Sequence, residues 1–122
     1  MIVLYIKRHL EEALEISAMS GAFFETFVVS EIIKSFYNAG KQPPIYYYRD
    51  SEQKEIDLII EQNEVLYPIE IKKTANPSQK ATNNFSVLEK TGLKIGTGNV
   101  ICLVNDIIPA DRKNFYVPVS LI

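Results

Sequence analysis

The chain has 122 residues and a mass of 13.9 kDa, and 47% of its residues are hydrophobic. This composition favours one globular domain with one modest core, and it excludes a multidomain enzyme and a disordered chain. The apolar run Ile2–Ile6 is too short to cross a membrane, and no basic residues precede it as in a signal peptide. We therefore expect a cytoplasmic protein with no membrane partner. The single cysteine, Cys102, excludes an internal disulfide and a thiolate metal cluster.

The formal net charge is −2, which argues against a strongly electrostatic nucleic-acid binder. The charges are nevertheless unevenly distributed. Residues 1–70 hold six basic and twelve acidic side chains, whereas residues 71–122 hold seven basic and three acidic ones. This asymmetry leaves two interpretations open, a basic surface on one side of the protein or charges scattered over solvated faces.

The chain shows no repeat and no linker, so we predict a single domain over residues 1–122, with residues 1–17 as an N-terminal extension. Within that extension Met1–Lys7 resembles a short strand and Arg8–Ser17 a weak helix. Apolar residues at helical spacing then predict a helix over Gly21–Asn38, which Gly40 and two prolines end. Three runs rich in Ile and Tyr follow as predicted strands: Ile45–Arg49, Glu55–Glu61 and Val65–Lys72.

A second helix is predicted to begin at Asn76-Pro77, because Asn caps free backbone donors and Pro is tolerated in the first helical turn. It should end at Gly92. Two further strands are predicted over Asn99–Val104 and Phe115–Val119, the second at a sheet edge because it contains Pro118. The predicted order is α-β-β-β-α-β-β, which indicates an α/β fold.

The candidate site begins with one residue of the first helix, Glu25. A helical projection places Glu25 within the apolar arc formed by Val28, Val29, Ile32 and Phe36, so its carboxylate should point at the core. A buried carboxylate is costly unless a cation or a hydrogen-bond donor compensates it. Its position therefore calls for a functional explanation.

Two more acidic residues fall on the second and third strands. If that hairpin turns at Asn63-Glu64, paired residue numbers sum to 127, which places Asp57 opposite Glu70 and Glu55 opposite Lys72. Facing carboxylates repel each other unless a positive charge lies between them.

A divalent cation would relieve that repulsion. Oxygen ligands select a hard ion, so the pattern predicts Mg²⁺ or Mn²⁺ bound by Asp57 and Glu70. Glu25 would be a third ligand if its helix packs on the same face of the sheet. Lys72, two residues after Glu70, would stabilise an anionic substrate or position the attacking water.

With Glu25, Asp57 and Glu70-Ile71-Lys72 in this order, the chain resembles the PD-(D/E)xK nuclease superfamily. Three segments, GAFFETFVVSEIIKSF, YYYRDSEQKEIDLII and LYPIEIKKTANPSQK, look like the nuclease-like domain of unknown function that follows the nucleotide-binding domain of predicted bacterial and archaeal AAA-type ATPases. The resemblance covers the chain from about residue 18 onward.

The resemblance implies a restriction-endonuclease-like core, a mixed central sheet flanked by helices. It implies Glu25, Asp57, Glu70 and the Ile71 carbonyl as metal ligands, Lys72 as the catalytic lysine, and DNA phosphodiester hydrolysis. It also implies an ATPase module as a partner. Independently of the resemblance, a homo-oligomer stays open as another assembly. The chain itself has no GxxxxGK[ST] loop, so we expect no ATP hydrolysis.

Two other interpretations remain open. One is a non-catalytic domain that binds nucleic acid or protein and retains a remnant acidic cluster. The other is a fragment of a longer ATPase, whose function depends on the upstream module. The run Tyr46-Tyr47-Tyr48 offers a stacking surface for bases, although alternation along a strand predicts that at least one of these rings is in the core.

Overall fold

The computed structural model describes residues 15–16 and 18–122. The predicted strand Met1–Lys7 lies outside these residues, as does the predicted helix Arg8–Ser17 except for its residues 15 and 16. The elements described from end to end are one α-helix, α1, seven strands and two 3₁₀ segments, η1 and η2. Their bounds are α1 Gly21–Asn38, β1 Ile45–Arg49, β2 Glu55–Gln62, β3 Val65–Ile71, η1 Gln79–Thr91, β4 Lys94–Ile95, β5 Gly98–Cys102, β6 Ile108–Pro109, β7 Asn114–Pro118 and η2 Val119–Leu121.

Within this part of the chain the strands form one mixed sheet in the order β1-β2-β3-β5-β7-β6, with β4 beside β3. The first three strands form the predicted antiparallel meander, and β5 and β7 continue the sheet in parallel. The predicted α/β class with a mixed sheet and helices is confirmed. The edge position predicted from Pro118 is wrong, because β7 lies between β5 and β6. Within β7, Phe115 and Tyr116 pair with β6. Pro118 lies two residues further along β7, past the end of that pairing.

The helix α1 begins and ends where the sequence predicts. The Ser20 hydroxyl accepts a hydrogen bond from the Phe23 backbone N–H at 3.2 Å and caps the first turn. Phe24 and Val28, four residues apart, are fully buried against Leu58 and other residues of the sheet. Burial of this stripe fixes α1 on one face of the sheet.

Each face of the sheet is covered by a separate layer. On the α1 face, the buried cluster consists of Phe24, Val28, Leu58, Ile69, Ile71 and Ile101. On the other face, η1 contributes Phe85 and Leu88, which pack against Ile56, Ile59 and Leu66. Residues 18–122 therefore form three layers, with the sheet in the middle.

The predicted second helix differs from the prediction in its start and its type. It is a 3₁₀ segment that begins at Gln79, and the Ser78 hydroxyl caps it by accepting the Lys80 N–H at 3.1 Å. The Asn76 N–H instead donates to the Thr74 hydroxyl, so Asn76 lies in the preceding turn. The predicted end at Gly92 is confirmed, because Gly92 adopts a left-handed φ of 76°.

We expect Gly92→Ala to lower the free energy of unfolding by about 1 kcal/mol, because a Cβ disfavours the left-handed conformation. A Cβ added at Gly92 would meet no atom within 4 Å, so the loss would be conformational rather than steric. Urea denaturation measures this loss in the free energy of unfolding. Gly21→Ala is the matched control, since Gly21 also has free space around it and has no left-handed φ. An equal loss in both variants would contradict this explanation.

The β2–β3 hairpin sets the register on which the candidate site depends. Its two turn residues, Asn63 and Glu64, have φ of 53° and 64°, as in a type I′ turn. The register pairs Leu58 with Ile69 and continues to Gln62 with Val65, so every pair sums to 127. The predicted turn and register are confirmed.

Glu64→Gly should stabilise the protein by about 1 kcal/mol, because glycine adopts the left-handed conformation without strain and Asn-Gly is the preferred type I′ pair. Thermal and urea unfolding would measure the gain. Glu52→Gly serves as the control, because Glu52 is an exposed turn residue outside the set with positive φ. A loss of stability in Glu64→Gly would contradict the idea that the left-handed backbone of Glu64 destabilises the turn.

Candidate acidic site at the β2–β3 junction

The strand β2 contains a β-bulge at the candidate site. The β1–β2 register pairs Tyr46 with Ile59 and Tyr48 with Ile56, so Asp57 and Leu58 together lie opposite Tyr47. Consistent with an inserted residue, Ile56 and Ile59 pack on the η1 face although they are three residues apart. The bulge therefore changes the direction of the side chains on either side of Asp57.

The Asp57 carboxylate lies between β2 and β3. The regular ladder between these strands begins at Leu58 and Ile69, and continuing its register would place Ile56 opposite Ile71. The Ile71 N–H instead donates to Asp57 Oδ2 at 2.8 Å. The Asp57 N–H in turn donates to Glu70 Oε1 at 3.4 Å. These contacts bring the two acidic residues together just beyond the end of the regular ladder, whose observed pairs stop at Leu58 and Ile69.

Glu70 is the one buried charged residue of the described chain, with 6% of its surface exposed. Alternation along β3 places Glu70 on the face opposite Ile69 and Ile71, which pack under α1. Burial raises the pKa of Glu70 from its usual 4.5 to about 7; repulsion from Asp57 adds to the rise, and Lys72 opposes it.

Lys72 lies beside Glu70, as the spacing predicts. Its Nζ is 3.6 Å from Glu70 Oε2, and its side chain is 50% exposed. The predicted pairing of Lys72 with Glu55 is replaced by other contacts, since Glu55 forms an ion pair with Arg49 at 3.2 Å. The Lys72 backbone N–H donates to the Ile101 carbonyl and continues the sheet past Ile71. The tip of Lys72 is therefore available to an anion while its backbone is fixed.

Glu25 is half-buried on α1 and lies near the same junction. Burial raises the pKa of Glu25 above its usual value, Asp57 and Glu55 add to the rise, and Lys72 opposes it. The condition for its role as a third ligand was that α1 packs on the Glu70 face. The structure places α1 on the opposite face, over Ile69 and Ile71.

This arrangement determines how many carboxylates could hold a cation directly. Among the described residues, no three His, Cys, Asp or Glu side chains are grouped as a metal site. The Glu70 carboxylate accepts the Asp57 backbone N–H, and Glu25 contributes its charge from the α1 side of the junction. The Ile71 backbone is anchored by Asp57. The ligand roles assigned to these four residues stay predictions.

Comparison with known proteins identifies the family. Residues 20–122 match the family described as a domain of unknown function, DUF4143. The chain belongs to the DUF4143 family. No curated protein and no solved structure matches this DUF4143 domain. Within the described part of the domain, no helix has the length and apolar character needed to cross a membrane.

A second cluster of the DUF4143 domain was not predicted. Asp50 accepts hydrogen bonds from the Tyr48 hydroxyl at 3.0 Å and from the backbone N–H groups of Glu52 and Lys54. Lys90 lies 5.2 Å from the centre of the Tyr48 ring and 3.9 Å from Asp50 Oδ2. Alternation predicted at least one of the three tyrosine rings in the core; Tyr48 is half-buried and packs against the cluster on the η1 face. The Asp50, Tyr48 and Lys90 cluster attaches η1 to the turn after β1.

A pocket of about 440 Å³ lies away from the acidic site. It opens between α1 and the sheet, and mostly apolar residues line it, with Glu31, Ser35 and Asn99 as its polar members. None of the predicted site residues is part of its lining. The acidic site of the DUF4143 domain therefore lies at the strand junction and is separate from this pocket.

Proposed function

We propose that this DUF4143 domain is a Mg²⁺- or Mn²⁺-dependent nuclease that hydrolyses phosphodiester bonds in DNA, as the resemblance to the PD-(D/E)xK superfamily implies. The observation that carries the proposal is the close contact of Glu70 with Asp57 on one side and with Lys72 on the other. An ATPase module is the partner that the resemblance implies.

The donor set fits a hard divalent cation. Asp57 and Glu70 offer carboxylate oxygens, and Mg²⁺ commonly uses one or two protein carboxylates with water and substrate phosphate at its other positions. The raised pKa of Glu70 indicates a carboxylate whose charge is poorly compensated by the protein alone. Glu25 would act on such an ion through its charge or through a bridging water.

In the proposed reaction each residue has a separate part. A bound cation would supply Lewis-acid stabilisation of the phosphate. Lys72, half-exposed and next to Glu70, would orient the attacking water and offset the negative charge that develops on phosphate oxygens. Asp57 would keep the Ile71 backbone and the Glu70 side chain aligned at the junction.

One observation favours a second candidate function. Because α1 packs on the face opposite Glu70, the three predicted acidic ligands do not form a single group among the described residues. A domain that binds nucleic acid or protein without catalysis, and keeps Asp57 and Glu70 as a remnant, would tolerate that arrangement.

An assay on single-stranded, double-stranded and branched DNA with Mn²⁺ distinguishes the two candidates. The nuclease proposal predicts cleavage by the wild-type chain that Lys72→Ala removes. Binding of DNA without cleavage would support the second candidate. Equal residual cleavage by both proteins would indicate a contaminating nuclease and would remove the support for catalysis.

A further inference from the structure

Among the described residues, the strand β1 forms an edge of the sheet. It pairs with β2 on one side, and no described residue pairs with its other side. Open edges present unpaired backbone donors and acceptors, and proteins usually protect them with charged side chains, proline or a bulge in the edge strand itself. Ile45–Arg49 contains no proline and a single charged residue, Arg49 at its end, and the bulge of this strand pair is in β2.

The backbone hydrogen bonds show which residues of β1 face outward. The Pro44 carbonyl accepts the Glu61 N–H at 3.0 Å, and the Asp50 N–H donates to the Lys54 carbonyl at 3.1 Å. Because alternate residues of a strand direct their backbone groups to the same side, even-numbered residues face β2. The N–H and C=O groups of Ile45, Tyr47 and Arg49 therefore face away from the sheet.

We propose that β1 is a homodimer interface, in which two copies of the chain pair these strands antiparallel about a two-fold axis at Tyr47. In this register paired residue numbers sum to 94. Ile45 lies opposite Arg49 of the second copy, and Tyr47 lies opposite itself. The three outward residues of each strand then form three hydrogen-bonded pairs, so every outward backbone group of β1 is satisfied.

The side chains also favour a second copy as the occupant. The register pairs Tyr46 with Tyr48 of the other copy on one face and Tyr47 with Tyr47 on the other, and aromatic cross-strand pairs stabilise sheets. Tyr46 is 56% exposed and Tyr47 75% exposed in the single chain. The one charged residue of β1, Arg49, has Glu55 at 3.2 Å and would face Ile45, so no like charges meet.

The opposite edge of the sheet limits this assembly to two copies. The strand β6 has only two residues, one of them Pro109, which has no backbone N–H to donate. Strand addition therefore joins β1 to β1 and closes as a dimer. Pairing of five-residue strands buries less than the roughly 1,200 Å² of a standard interface, so we expect a weak, concentration-dependent dimer.

The dimer would bring two acidic sites near each other. Asp57 of each copy lies on β2, one strand in from β1. Three inter-strand spacings of about 4.8 Å separate the two β2 strands, which gives roughly 14 Å. That these two acidic sites act on DNA rests on the proposed nuclease function, whereas the dimer itself does not rest on it.

Sedimentation and light scattering of the full chain over a concentration series test the proposal. Tyr47→Lys places two like charges at the two-fold axis and should weaken the dimer at least tenfold. Tyr37→Lys is the matched control, because Tyr37 is an exposed tyrosine on α1 and should leave the dimer intact. A wild-type chain that stays monomeric at all concentrations, or a dimer that survives Tyr47→Lys, would overturn the proposal.

Cysteine cross-linking keeps the test informative if Tyr47→Lys fails to fold. Tyr47→Cys should form a disulfide-linked dimer under mild oxidation, because the paired positions would be about 5.5 Å apart. The native Cys102 is fully buried and does not compete. Tyr37→Cys should remain monomeric. Equal cross-linking of both variants, or none in Tyr47→Cys, would contradict the β1 interface.

Discussion

Glu70→Gln is expected to raise the free energy of unfolding at pH 8 by about 3 kcal/mol. The wild-type chain must fold at this pH with a charged carboxylate at a site that is 6% exposed and faces Asp57. The amide has a similar shape, keeps an acceptor for the Asp57 N–H, and removes the charge. Functional sites often store instability of this kind.

The sign of the pH dependence follows from the direction of the pKa shift. The folded-state pKa of Glu70 is raised to about 7, so the folded chain binds the proton more tightly than the unfolded chain does. The stability that this proton contributes is fully present below about pH 4.5 and is lost as the pH rises through about 7. Urea denaturation from pH 5 to pH 8 should therefore show a loss in the wild type that is absent from Glu70→Gln.

Glu89→Gln is the matched control for this measurement, because Glu89 is an exposed glutamate on η1. The difference between wild type and Glu70→Gln also removes the contributions of the other titrating groups, since both proteins share them. Parallel profiles for wild type and Glu70→Gln would mean that Glu70 titrates normally and that the junction holds no strained carboxylate.

Lys72→Met is expected to lower the rate of Mn²⁺-dependent DNA cleavage about 100-fold or more, the range in which a charged group at a reacting centre contributes. Methionine keeps much of the side-chain length and removes the charge. Because the side chain is 50% exposed, the fold should tolerate the change. Single-turnover cleavage measures the effect on the chemical step.

Lys80→Met is the control, since Lys80 is an exposed lysine at the start of η1. Lys80→Met tests whether removal of a positive charge elsewhere on the surface also weakens binding of DNA, a polyanion. A loss of rate shared by both variants would indicate non-specific electrostatics. A tenfold or smaller change in Lys72→Met alone would contradict a catalytic role for Lys72.

The local elements could be predicted from the sequence because their signals are local. Apolar spacing and the residues that flank it give both ends of α1. The Asn63-Glu64 turn gives the register of β2 and β3, and that register places Asp57 opposite Glu70. The two-residue strands β4 and β6 are too short to carry a pattern.

The remaining features depend on tertiary contacts. No residue type marks the bulge at Asp57 and Leu58, because it arises from pairing with β1. The face on which α1 packs follows from burial of Phe24 and Val28 against the sheet, and no local pattern determines which face that is. The position of Glu25 relative to Glu70 was therefore beyond the reach of sequence reasoning.

Isothermal titration calorimetry with Mg²⁺ and Mn²⁺ tests most directly whether Asp57 and Glu70 form a divalent-cation site. The wild-type chain is predicted to bind the ion at pH 8, and the double variant Asp57→Ala with Glu70→Ala is predicted to bind none. Glu89→Ala should bind as the wild type does. Absence of uptake by the wild type, or equal uptake by the double variant, would contradict the account.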